Sequence, residues 1–103
     1  EYSIGAYYKY AFYNGFIFPR NFKLYSDYNS FDKYPKAAQR WKKIYYYFTQ
    51  KLTYAYQGKQ LFLKNPANCY RVPYLLEMFP NAKFVFTYRN PYKMDASTLK
   101  FYR

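Results

Sequence analysis

Three side chains in the second half of the chain are of types that hold anions: Lys64, Arg89 and Ser97. Lys64 comes at the end of the apolar run "KQLFLKN", and Arg89 follows the apolar run "AKFVFTY"; each cation has a proline two residues later. Arg offers a planar fork of donors matched to phosphate, Lys a mobile point charge, and Ser a single hydroxyl. If both runs are β-strands joined through a helix, their ends lie over one edge of a parallel sheet. Open α/β folds bind their ligands at that edge. Arg89 also precedes a helix start, where free N–H groups and the helix dipole favour an anion. Ser97 lies about two turns into that helix. The chemistry these residue types point to is phosphate capture. The alternative is that Arg89 caps carbonyls or pairs with Glu77 or Asp95.

The elements that must position these residues follow from periodicity. In "EYSIGAYYKYAFYNGF", Ile4, Tyr7, Tyr8, Ala11 and Phe12 keep helical spacing, and Asn14-Gly15 is expected to end that helix. Residues 17–34 carry turn formers without a sustained period and read as a connector with one short helical turn. Pro35 suits a first helical position, where its missing N–H has no partner to lose. From Lys36 to Gln57, the residues Ala38, Trp41, Ile44 or Tyr45, Phe48, Leu52 and Ala55 share one face of a helix about 33 Å long. Gly58 is expected to stop it. Lys59–Asn65 then reads as a short strand. Arg71–Phe79 reads as a helix with Val72, Leu75, Leu76 and Phe79 on one face, ended by Pro80. Ala82–Tyr88 reads as a strand covered on both sides. Pro91–Arg103 is a helix with Asn90 as its N-cap. Two strands joined by a helix imply a parallel βαβ unit, hence an α/β fold with helices on both faces. One partial domain over 1–103 is expected: an aromatic helix and connector (1–34), the long helix (35–57), and a βαβα half (59–103).

Bulk composition narrows the class. The 103 residues suit one small domain, and an aromatic content of 29% is unlike that of a disordered chain. No apolar stretch reaches the ~20 residues of a membrane span, and no secretory signal is visible. A single cysteine, Cys69, excludes an internal disulfide framework and fits a reducing, cytoplasmic setting. The net charge of +12 suits a polyanionic partner. A/T-rich coding, which raises Lys and Tyr together, accounts for the same excess without any partner.

The ordered set "LKNP", "RVPYLLEMFPNAKF" and "RNPYKMDAST" resembles the central segment of sulfotransferases that use 3′-phosphoadenosine 5′-phosphosulfate. The likeness is close over 58–103. Phe18-Pro19 and "KLTYAYQGK" are similar to the bacterial branch. The resemblance implies a fragment of a P-loop-like parallel sheet. It implies that Arg89 and Ser97 hold the 3′-phosphate of the donor and that Lys64 stands near its phosphosulfate bridge. It also implies transfer of a sulfuryl group without a metal to the hydroxyl or amine of a small-molecule, glycan or lipid acceptor.

Two departures stand out. Where family members commonly carry a histidine base, this chain has Asn68, and it contains no histidine. Asn68 cannot take a proton near neutral pH; capping the following helix is the expected role, orienting the acceptor the alternative. The loop that cradles the 5′-phosphosulfate has no counterpart, since "YQGKQ" lacks the rest of a Walker-type motif. The chain starts at Glu1 without a methionine and is expected to be a fragment, inactive alone, with its catalytic base unidentified. Two competing readings are a basic aromatic module stacking on single-stranded nucleic acid and a kinase-like relative sharing only the fold.

Overall fold

The structure is a computed structural model that describes residues 2–9 and 11–101. Among the described residues every regular element is helical. In order these are α1 (Tyr2–Tyr7), α2 (Asn14–Ile17), a 3₁₀ turn (Pro19–Asn21), α3 (Phe22–Asp27), α4 (Pro35–Ala55), a second 3₁₀ turn (Pro66–Tyr70), α5 (Val72–Met78) and α6 (Pro91–Phe101). Tyr102 and Arg103, expected in the last helix, lie outside the described residues.

The α/β expectation is therefore overturned: neither 59–65 nor 82–88 forms a ladder, and no parallel sheet exists among the described residues. The physical reason is that a strand is not a local structure. A run of β-formers becomes one only when a neighbour supplies its hydrogen bonds, and periodicity cannot distinguish a buried strand from an unpaired apolar segment. Phe62, Val85, Phe86 and Tyr88 are each more than three-quarters exposed.

The long helix α4 organises the core. Pro35 stands in its first turn, as the sequence suggests. Its buried face carries Ala38, Trp41 and Tyr45, flanked by the partly buried Ile44 and Phe48; Ala55 is exposed instead. Against this face pack Ile4, Tyr8 and Ala11 from the N-terminal segment, Tyr28 and Phe31 from the connector, and Leu75 of α5. The connector thus supplies core that its sequence period does not reveal. Phe31 adopts a left-handed backbone (φ 62°), which turns its ring inward against Trp41, with centroids 5.6 Å apart. That conformation costs a β-carbon-bearing residue about 1–2 kcal/mol, and burial of the ring offsets it.

Two further sequence details read differently in three dimensions. Asn14-Gly15 opens α2 rather than closing a helix. Gly15 is needed for close packing, since a Cβ there would meet Phe22 Cδ2 at 2.9 Å and Tyr25 Cβ at 3.2 Å. Lys42 lies on the buried side of α4, and its ammonium donates to Glu77 Oε1 at 2.6 Å, joining α4 to α5. On the exposed side, Lys51 lies 4.6 Å from the Tyr47 ring centre and 5.6 Å from that of Tyr7. The Tyr47 hydroxyl, by hydrogen bond and then charge, raises the Lys51 pKa, and Tyr7 adds to this.

Helix α4 ends in a Schellman closure. Gly58 N–H donates to Thr53 O (2.8 Å) and Gln57 N–H to Tyr54 O (3.1 Å). The left-handed residue at the first position past the cap is Gln57 (φ 55°), with Gly58 (φ 76°) after it. Only glycine takes that conformation without strain. Gln57→Gly is expected to stabilise the fold by roughly 0.5–1 kcal/mol, read as a higher denaturant midpoint at constant slope.

Candidate functional site

Lys64 and Arg89 are held by the same local device. Each precedes an Asn-Pro pair that starts a helical turn. In Lys64-Asn65-Pro66, the extended Asn65 accepts the Ala67 N–H on its Oδ1 at 3.1 Å. In Arg89-Asn90-Pro91, Asn90 Oδ1 accepts from Tyr92 N–H (3.0 Å) and Lys93 N–H (3.4 Å). Asn suits both places because its short carbonyl reaches back to orphan amides, while Pro needs none. The expected N-cap at Asn90 is present.

That cap also corrects an expectation. Pro91 has no N–H, and the next two amides of α6 are occupied by Asn90, so the helix mouth does not present free N–H donors. Its dipole remains. An anion beside α6 must take its hydrogen bonds from side chains, and Arg89 is the adjacent donor.

The side chains of Lys64, Arg89 and Ser97 are all exposed. Among the described residues none of the three enters a hydrogen bond or ion pair, and no such bond links any two of them. The ion-pair alternatives for Arg89 are not realised: Glu77 is engaged by Lys42, and Asp95 forms no ion pair with it. On α6 it is Thr98, not Ser97, whose hydroxyl bonds back to Met94 O (2.9 Å). Because the described residues form no sheet, convergence of strand ends over one edge does not account for the three; each is set by its own helix or turn. A cavity of about 470 Å³ lies elsewhere, at the start of α4, bordered by Tyr8, Tyr34, Lys33, Lys36 and Arg40.

Asn68 is not a helix cap. Asn65 caps the 3₁₀ turn, and α5 begins at Arg71 without a side-chain cap. Asn68 Oδ1 is buried without a hydrogen-bond partner among the described residues. Among the described residues no group of three His, Cys, Asp or Glu side chains is placed to hold a metal ion, and no helix is long and apolar enough to cross a membrane.

The residue that sequence reading passed over is Arg71. It is fully buried, with its guanidinium carbon 4.8 Å from the ring centres of both Phe31 and Trp41. Nε donates to Asn29 O (2.9 Å) and Nη2 to Tyr28 O (3.2 Å). The available signal was a lone arginine heading the apolar helix "RVPYLLEMF". Its depth depends on aromatic residues 30 and 40 positions upstream, which no local pattern connects to it.

Comparison with known proteins bears on these motifs. A model of the sulfotransferase family matches residues 17–103, which include every residue discussed above from Tyr28 onward. The omega-hydroxy-beta-dihydromenaquinone-9 sulfotransferases Stf3 of Mycobacterium bovis and Mycobacterium tuberculosis are each 33% identical over 87 residues, 84% of this chain. The chain spans 22% of the length of these relatives. No solved structure matches it significantly. With the Lys-Asn-Pro turn, the Arg71 helix and the Arg-Asn-Pro helix start all inside the matched region, the chain belongs to the sulfotransferase family.

Proposed function

We propose that this chain carries part of the donor-nucleotide site of an enzyme that moves a sulfuryl group from 3′-phosphoadenosine 5′-phosphosulfate to an acceptor hydroxyl. The observation that carries the reading is Arg89: an exposed guanidinium without an intramolecular partner among the described residues, held next to a capped helix start. A fork of N–H donors in that state suits a phosphate dianion. Ser97 adds a hydroxyl to the 3′-phosphate contact. Lys64 stands near the phosphosulfate bridge.

In the reaction the acceptor oxygen forms a bond to sulfur as the bridging S–O bond breaks. Adenosine 3′,5′-bisphosphate leaves with the electron pair, and the acceptor proton passes to a base. Negative charge grows on the departing phosphate, so a fixed cation at Lys64 stabilises the transition state more than the ground state. The acceptor class supported by the mycobacterial relatives, by their names, is a lipid hydroxyl.

The test is calorimetric binding of adenosine 3′,5′-bisphosphate to the full-length protein. Arg89→Ala is expected to weaken binding by more than about 1 kcal/mol, the scale of a lost charge-assisted contact. Equal affinity in the variant rejects the assignment.

A further inference from the structure

We infer that Arg71 is the positioning residue for Lys64, an inference that rests on the donor-site reading above. Between them the backbone is strapped at short intervals. Asn65 Oδ1 accepts the Ala67 N–H, Asn65 O accepts the Asn68 N–H (3.0 Å), and Asn68 O accepts the Arg71 N–H (3.0 Å). Pro66 fixes its own φ, and Ala67 is buried. Motion at Lys64 is thereby tied to motion at Arg71.

Arg71 is anchored by stacking and by hydrogen bonds. Its guanidinium carbon lies over the rings of both Phe31 and Trp41, and its Nε–Nη2 edge donates to the carbonyls of the 28–29 turn. A planar ion stacked on neighbouring rings and bonded along one edge has one orientation, which a flexible ammonium at the same place would not have. Residues 59–64 have little else to hold them, since Leu61 alone among them is even partly buried. The Lys64 ammonium is therefore registered against the aromatic core of α4 through Arg71. Arg89 has its own cap, Asn90 at the start of α6, outside the strap that leads to Arg71, and so serves as an internal control.

The experiment is a double-mutant cycle on the full-length protein, read as affinity for adenosine 3′,5′-bisphosphate, with thermal melts on every variant. Arg71→Lys is expected to weaken binding about tenfold, and to cause less than about a twofold change in a Lys64→Ala background, since coupled residues are not additive. In an Arg89→Ala background the full loss is expected to persist. Merely structural damage lowers the melting temperature in all backgrounds and weakens binding equally in each. That pattern, or an Arg71→Lys protein with unchanged affinity, overturns the inference. If Lys64→Ala by itself leaves affinity unchanged, the role of Lys64 in the donor site is rejected and the inference goes with it. Should Arg71→Lys fail to fold, Asn65→Ala cuts the same strap at its other end. It is expected to show the same dependence on Lys64, and additivity there counts against the inference.

Discussion

Replacing Arg71 with alanine is expected to destabilise the fold by about 3–5 kcal/mol, the range for emptying a fully buried large side chain. Three losses combine. The space beside Phe31 and Trp41 loses the group that fills it. The carbonyls of Tyr28 and Asn29 lose a donor in a buried place, and unmet buried acceptors cost about 1–3 kcal/mol each. The connector then loses its tie to the start of α5. A small domain has only about 5–15 kcal/mol in total, so this one change removes a large share. Chemical denaturation reads the loss as a lower midpoint at constant slope. Arg71→Met separates filling from bonding, since it refills part of that space and restores no donor. It is expected to recover part of the loss. Full recovery would show that the hydrogen bonds contribute nothing net, as happens when a buried ion is exchanged for a well-packed apolar group.

Trp41 is the second site of large effect. It has no exposed surface and touches Phe31, Tyr45 and Arg71, with ring centres 5.6 and 4.8 Å away for the first two. Trp41→Ala is expected to cost about 3–5 kcal/mol through lost burial and the remaining cavity. Trp41→Phe is expected to cost much less, under about 2 kcal/mol, for a specific reason. The indole Nε1 is buried with no hydrogen-bond partner among the described residues, so tryptophan already carries an unmet donor that phenylalanine removes. The smaller ring leaves a gap, which offsets part of that relief. Thermal or denaturant unfolding of the two variants checks the contrast; a Phe variant as unstable as the Ala variant would mean that the indole N–H has a partner.

Helix placement was legible in the sequence at several local signals, though not at Asn14-Gly15. Pro35 marks the start of α4, and Ala38, Trp41 and Tyr45 fall on its buried face as the spacing requires. The Asn90-Pro91 start of α6 depends on atoms within three residues of one another, and the Lys64-Asn65-Pro66 turn is equally short-range. Motif order was legible too: the three blocks resembling sulfotransferases fall inside the region that the family model matches.

What the sequence misjudged was partnership. "QLFL" and "KFVFTY" read as strands because their side chains favour pleated backbone, yet pairing is a property of two segments, and neither has a ladder here. Asn68 reads as a cap on paper, and only backbone geometry gives the capping role to Asn65.

By itself, then, the amino-acid order determined the family, the helix starts and the presence of two cations each set before an Asn-Pro turn. Those features depend on contacts within a few residues, which chain geometry alone dictates. Tertiary structure decided that Arg71 is an interior anchor rather than a surface charge, that Lys42 reaches Glu77, and that Glu77 is thereby withdrawn from Arg89. Each depends on residues 30 or more positions apart, and the burial that sets the strength of a charge's interactions exists only once those residues have met.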